Sequence, residues 1–268
     1  MFQIKANPVL CQNINPLQLQ LVYYGRAQVD ENWKGSAASP VNSRLFCIVG
    51  GEGSMILDNG REILLKAGNW YLFPAGCSFS YSCKESLDHI YIHLSLCDTD
   101  GIDLLHQCRE PLEMTATDDD VDFFSEGLTG QSVVESLRVR HRIYDLLLTF
   151  MEDNRVELAS RKLSPCVSKA IAYIRENLSV RLSNSEIAEQ ANVSVSTLTK
   201  RFQRELSMSV HDYIENLVFS EAVRLIRQSD MPIGRISEKF GFCDQFYFSR
   251  RFKEKIGTAP RNYRRVFV

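Results

Sequence analysis

The 268-residue chain contains no run of eighteen apolar residues, which excludes an ordinary membrane-spanning helix. It begins Met1-Phe2-Gln3-Ile4-Lys5-Ala6-Asn7-Pro8, without the basic segment and apolar run of a secretory leader, so the expected location is the cytoplasm. Its eight cysteines (Cys11, Cys47, Cys77, Cys83, Cys97, Cys108, Cys166 and Cys243) include no CxxC pair. That excludes a zinc ribbon and suits reduced core thiols. Nucleophile elbows, phosphate loops and dinucleotide glycine motifs are missing as well. No enzyme activity and no cofactor are expected.

Apolar residues make up 44% and charged residues 24%, enough for real cores, and the length suits two domains. The net charge of -2 hides an asymmetry. Residues 1–164 carry 14 Lys and Arg against 22 Asp and Glu, a balance of -8; residues 165–268 carry 17 against 11, a balance of +6. The basic half is the candidate for a polyanion such as DNA.

Residues 17–97 read as short strands. Leu17 to Tyr24 begins with strict alternation, and Arg44 to Val49 is β-branched and aromatic. Gly50 to Gly53 reads as a turn into Ser54 to Leu57, and Asp58-Asn59-Gly60 as a hairpin into Arg61 to Leu65. Trp70 to Phe73, Ser78 to Ser82 and His89 to Leu96 complete a sandwich or small barrel. Past Asp118-Asp119-Asp120 the period changes to helical, with a segment at about 121–153, and Glu152 to Pro165 reads as a linker.

Residues 166–268 read as helices. Ser183 to Glu186 has capping-box spacing, Asn192-Val193-Ser194 breaks that helix, and another runs from about Val195 to Leu206. An amphipathic helix covers Val210 to Gln228. A second short helix, Ile236 to Phe240, ends at Gly241-Phe242, and a longer one runs from Asp244 to Ile256 and stops at Gly257. The half thus contains two units of short helix, tight turn and longer helix.

The segment from Ile236 to Arg264 resembles the signature of AraC/XylS-type transcription regulators. Gly241-Phe242, Tyr247-Phe248-Ser249-Arg250, Phe252-Lys253, Gly257 with Pro260, and Tyr263-Arg264 fall at that family's spacings. The first unit (Ile187-Ala188, Val193-Ser194, Leu198 and Phe202) also fits, as does Tyr213-Ile214 with Ala222. One departure is Val218, where the family often has an arginine; packing is expected to replace the ion pair usual there. Gly51 to Gly53, Ala67-Gly68, Phe73-Pro74 and Ile92 to Leu94 resemble the cupin-like ligand domain of sugar-responsive members.

The resemblance implies an α+β two-domain chain: a cupin-like β-barrel with a helical dimerisation segment over 1–160, and an all-α domain with two helix-turn-helix units over 166–268. In such a unit the second helix enters the major groove with its N-terminal outward residues. These are Ser196, Thr197, Thr199, Lys200, Gln203 and Arg204 in the first unit, and Gln245, Phe246, Ser249 and Arg250 in the second. Lysine and arginine suit guanine, glutamine suits adenine, and Phe246 suits a thymine methyl. Arg251, Lys253, Lys255, Arg261, Arg264 and Arg265 are expected at phosphates or in solvent. The two helices would occupy successive major grooves about 34 Å apart.

Strand parity puts His89, Tyr91 and His93 on one face and Ile90, Ile92 and Leu94 on the other. The polar-aromatic face either lines a pocket or meets solvent. The resemblance lays effector contacts at or near Tyr81, His89 and Tyr91, with Arg44 and Trp33 as further candidates. A metal-binding cupin carries His-x-His on the strand that here reads Leu45 to Val49, so no metal is expected. In dimeric relatives the helical segment forms the subunit contact, which nominates Leu137, Tyr144, Leu147 and Met151; packing against the barrel is the alternative. The expected partners are double-stranded DNA, a small effector such as a carbohydrate, a second copy, and RNA polymerase for an activator. Two alternatives remain. One is a regulator controlled by a partner protein or by a reactive thiol among Cys47, Cys77 and Cys83. The other is a cupin enzyme fused to a DNA-binding domain.

Overall fold

The computed structural model describes residues 17–98, 101–108, 110–126, 132–158 and 163–267, the side chains of 266 and 267 excepted. The chain divides into two compact units, Met1–Ala159 and Ser160–Val268.

The first unit is a seven-stranded antiparallel sheet: β1 (Gln18–Asp30), β2 (Lys34–Ala37), β3 (Ser43–Leu57), β4 (Glu62–Lys66), β5 (Asn69–Phe73), β6 (Phe79–Cys97) and β7 (Leu112–Thr115). The strand order is β1-β6-β3-β5-β7, with β2 on β6 and β4 on β3. Gly50 to Gly53, expected to turn, instead stays inside β3. Its pairing with β6 shifts register between Ile48 and Gly50 and again between Gly51 and Gly53. These are bulges, which bend a strand without ending it. Gly51 sits at φ +78, where a Cβ would strike the Ser86 carbonyl of the neighbouring strand, so only glycine fits. The segments read as Ser78 to Ser82 and His89 to Leu96 likewise join in one continuous strand, β6, which starts at Phe79.

The sheet has a core on each face. One contains Leu45, Cys47, Trp70, Ile90, Ile92 and Leu94, and is covered by α1 (Asp118–Ser125) and α2 (Val133–Asp153) through Phe124, Ile143, Leu146, Leu147 and Phe150. The triple aspartate is therefore the first turn of a helix: Thr117 caps it, and carboxylates stabilise its N-terminal end. The other core gathers Phe46 and Ile48 from before the bulges with Met55 and Leu57 from beyond them, together with Tyr71, Phe73 and Phe79.

The second unit holds α3 (Pro165–Glu176), α4 (Asn184–Gln190), α5 (Val195–Leu206), α6 (Val210–Gln228), α7 (Ile233–Lys239), α8 (Gln245–Ile256) and α9 (Pro260–Phe267). Ser183 accepts from the Glu186 amide, half of the expected capping box. The Glu186 carboxylate turns instead to the Tyr173 hydroxyl, 2.7 Å away. Asn192 at φ +56 breaks the chain between α4 and α5, and Gly257 at φ +95 ends α8. Long α6 packs against α5, α7, α8 and α9, so one amphipathic helix organises the whole unit. Val218 on α6 is fully buried.

Candidate functional site

The two second helices of the C-terminal unit are built alike. Ser194 caps α5 by accepting from the Thr197 amide at 3.2 Å, and Asp244 caps α8 by accepting from the Tyr247 amide at 2.7 Å. Each helix turns two phenylalanines or a leucine and a phenylalanine inward: Leu198 and Phe202 on α5, Phe248 and Phe252 on α8, all with no exposure. Ser196, Thr199, Lys200, Gln203 and Arg204 lie on the solvent side of α5, and Thr197 is half-buried with its hydroxyl on Ser194. Arg204 pairs with Glu205, but its side chain is 72% exposed, so the pair is weak and leaves the guanidinium available.

On α8, Phe246 is 85% exposed and Arg250 is exposed, its guanidinium 5.3 Å from the Tyr247 ring centroid. A bare phenyl ring at the start of a helix loses hydrophobic stabilisation and is a contact surface in waiting. Ser249 is half-buried. Gln245 is half-buried too, its side-chain oxygen lying where a Cβ on Gly234 of α7 would be.

Three of the cations expected at phosphates or in solvent hold the fold together instead. Arg251 grips both oxygens of buried Glu215 on α6, each at 2.7 Å, and pairs with Glu254 at 2.6 Å. Lys255 is 5% exposed, with its ammonium 3.5 Å from Glu215. Arg264 donates to the Met231 carbonyl at 2.7 Å. The acceptors lie up to 38 residues away in sequence, so local spacing carried no signal for these roles. Lys253, Arg261 and Arg265 are exposed.

In the N-terminal unit, Leu87, Tyr91 and the rings around His89 share the face opposite α1 and α2. Trp33 of the β1–β2 connection stands 4.5 Å from the Tyr81 ring and 5.2 Å from His89 (centroid distances). Tyr91 stacks on Tyr23 at 5.3 Å. Cross-strand glycines make room for both tyrosines: Gly25 faces Tyr91 and Gly35 faces Tyr81, and a Cβ at either would collide with the phenol. His89 is buried and its Nδ1 has no hydrogen-bond partner among the described residues. Arg44, also buried, lies 5.6 Å from the Phe79 ring centroid. Burial pulls the Arg44 guanidinium down to about 10 and His89 down to about 4.

The His89 shift gives a stability prediction. An imidazole whose folded value lies below its unfolded value of about 6.5 contributes stability at neutral pH and loses it on acidification. His89, together with His93, which burial holds well below its usual value, is expected to weaken the N-terminal unit as pH falls below about 6.5. Buried Asp103, raised to about 7, works the opposite way. His89→Phe is expected to remove only the share of His89 from the acid-side loss in pH-dependent thermal unfolding.

The expected dimer residues need correction. Leu147 is 4% exposed and packs into the core under the sheet, and Tyr144 and Met151 lie against the same core. A helix of this length turns one stripe to its own domain, and these three are on it. Leu137 alone of the four is open, at 61%, beside Val133, Val134 and Leu148. The thiol candidates face the wrong way electrostatically: burial pushes Cys47 up to about 12, Cys77 up to about 11 and Cys83 upward, away from reactivity. Cys83 also donates to the Asp30 carbonyl at 2.8 Å.

Residues 187–266 match the family model described as a helix-turn-helix domain. The chain is 22% identical over 264 residues to the Msm operon regulatory protein of Streptococcus mutans, covering 94% of this chain and 95% of that one. It is 25% identical to the arabinose operon regulatory protein of Salmonella typhimurium, over 80% of each chain. Among solved structures, ToxT from Vibrio cholerae, bound to an unsaturated fatty acid, shares the fold at TM-score 0.62 and 12% identity, over 93% of this chain and 95% of that one. Over most of its length the chain is similar to these regulators, and its C-terminal residues carry a helix-turn-helix domain. The helix-turn-helix match spans both second helices of the C-terminal unit, which supports a DNA-binding transcription regulator. The antiparallel sheet is the N-terminal partner of that unit. Among the described residues of the regulator, no helix is long and apolar enough to cross a membrane.

Proposed function

We propose that the regulator binds an asymmetric DNA site through α5 and α8 and is controlled by a small effector held on the aromatic face of its sheet. The carrying observation is the repeated construction of the two helices, each capped, each buried along one stripe, and each open at its N-terminal turn. Lys200, Gln203 and Arg204 with Ser196, Thr197 and Thr199 read one groove segment; Arg250, Phe246, Ser249 and Gln245 read the next. Exposed helix N-termini add a sequence-independent attraction for phosphate. Tyr81, His89, Tyr91, Trp33 and Arg44 make up the effector site. Rings with hydrogen-bonding tips suit a carbohydrate, and the curated relatives named as arabinose and xylose regulators support that class. The exposed stripe of α2, centred on Leu137, suits contact with a second copy, and an activating form would meet RNA polymerase.

The test is binding of the full chain to DNA from upstream of its own and neighbouring genes, across salt concentrations, with and without a panel of sugars and sugar acids. Site-selective binding that shifts with one compound is the expected result. Sequence-indifferent binding with a steep salt slope would sink the reading-helix assignment. Lys200→Ala and Arg250→Ala are each expected to weaken operator binding by about 1–3 kcal/mol, with discrimination lost only at the base each contacts. Competition titrations against single-base operator variants measure this.

A further inference from the structure

Among the described residues Arg44 has no counter-charge. It lies on β3, buried at 6% exposure, and among the described residues no carboxylate or hydrogen-bond acceptor meets it. Residues 1–16, outside the described part, contain no Asp or Glu. A desolvated guanidinium without an anion is costly to keep, because burial removes its hydration and returns nothing. The same face carries a second unmet polar atom, His89 Nδ1. Trp33 and Tyr91 stand 5.2 and 5.7 Å from the His89 ring and Tyr81 stands 4.5 Å from Trp33, all three half-buried, so each ring keeps part of its surface open; Arg44 lies on the same face beside the Phe79 ring. Elsewhere in the chain buried cations are answered: Lys255 faces Glu215. Arg44 is the exception, and it sits where the regulator's effector is proposed to enter.

We infer that the effector is an anionic carbohydrate, a sugar acid or sugar phosphate whose acid group pairs with Arg44 while its ring packs on Trp33, Tyr81 and Tyr91 and one hydroxyl meets His89 Nδ1. This rests on the reading that the effector binds this face, and adds its charge. The planar guanidinium offers paired donors to a carboxylate or phosphate, the geometry in which arginine binds such groups most strongly. A neutral sugar would satisfy His89 but leave the cation unanswered.

The experiment follows thermal unfolding of the full chain with gluconate, glucose 6-phosphate, inorganic phosphate and glucose, in wild type, Arg44→Met and Arg44→Lys. At least one of the two carbohydrate acids is expected to raise the unfolding temperature and to bind about tenfold or more tightly than glucose. Inorganic phosphate alone gives a smaller rise, since the rings then hold nothing. Arg44→Met loses the acid-dependent rise, and without ligand it unfolds at a higher temperature than wild type, because an unanswered cation has gone. Arg44→Lys keeps part of the preference for acid, which guards against a merely misfolded methionine variant.

Failure of both acids to shift the wild type overturns the inference. So does a rise that persists in Arg44→Met, a rise with inorganic phosphate equal to that with glucose 6-phosphate, or an unliganded Arg44→Met less stable than wild type. Glucose binding as tightly as the acids overturns the charge assignment but leaves the effector site standing, provided operator binding still responds to glucose. The two readings therefore fail separately.

Discussion

Replacing Glu215 with alanine is expected to destabilise the C-terminal unit by about 3–5 kcal/mol. The carboxylate is 5% exposed and answers two cations on α8, Arg251 through both oxygens and Lys255 at 3.5 Å. Removing it leaves the desolvation of both cations in place and deletes the attraction that offset it. Lys255 is as buried as Glu215, and Arg251 retains its pair with Glu254. The pair also fixes where α8 lies on α6, so the loss should appear as weakened operator binding at temperatures below the unfolding midpoint. Denaturant unfolding of the full chain, followed at the C-terminal unit, gives the magnitude. A triple change of Glu215, Arg251 and Lys255 to methionine separates charge from position: apolar replacement of a whole buried ion cluster is often neutral or stabilising. A triple variant as unstable as Glu215→Ala would show that packing volume, not uncompensated charge, is the cause.

Phe248→Ala is expected to cost about 3–5 kcal/mol. Its ring has no exposure, stacks on Phe219 of α6 at 6.1 Å, meets Phe242 edge to face at 5.1 Å and lies tilted against Phe252 at 5.8 Å between centroids. Deleting it opens a void that three aromatic neighbours, each held by others, are poorly able to fill. Against a typical domain stability of about 5–15 kcal/mol, that is a large fraction. Phe246, two residues earlier and 85% exposed, provides the internal control: its alanine variant should change stability by less than about 0.5 kcal/mol. Operator affinity should fall in the Phe246 variant even though its unfolding curve overlays that of wild type. Equal destabilisation by the two changes would mean that α8 is not oriented as described.

The C-terminal unit was largely legible because its information is local. The cap at Ser183, the break at Asn192 to Ser194, the stop at Gly257, and the inward spacing of Leu198, Phe202, Phe248 and Phe252 lie within one or two helical turns of what they determine. The division of the β6 face into aliphatic Ile90, Ile92 and Leu94 and polar His89, Tyr91 and His93 was legible for the same reason, since alternation along one strand suffices. What resisted was anything set by a residue far along the chain. Gly50 to Gly53 has the composition of a turn, yet pairing with β6 on one side turns it into a bulged strand. Leu147 has the spacing of an exposed stripe or a buried one, and only the sheet beneath α2 decides between them.

Sequence by itself determined the helix-turn-helix repeat and the inward stripe of each second helix, because hydrogen bonds and hydrophobic period act over a few residues. The tertiary structure alone decided which cations serve as struts and which remain free. Arg250 and Arg251 are chemically identical neighbours, but the helix turns one to solvent and the other to Glu215. It alone also showed that Arg44 is buried with no anion beside it among the described residues, since burial and counter-charge are properties of the assembled sheet and not of any segment of the chain.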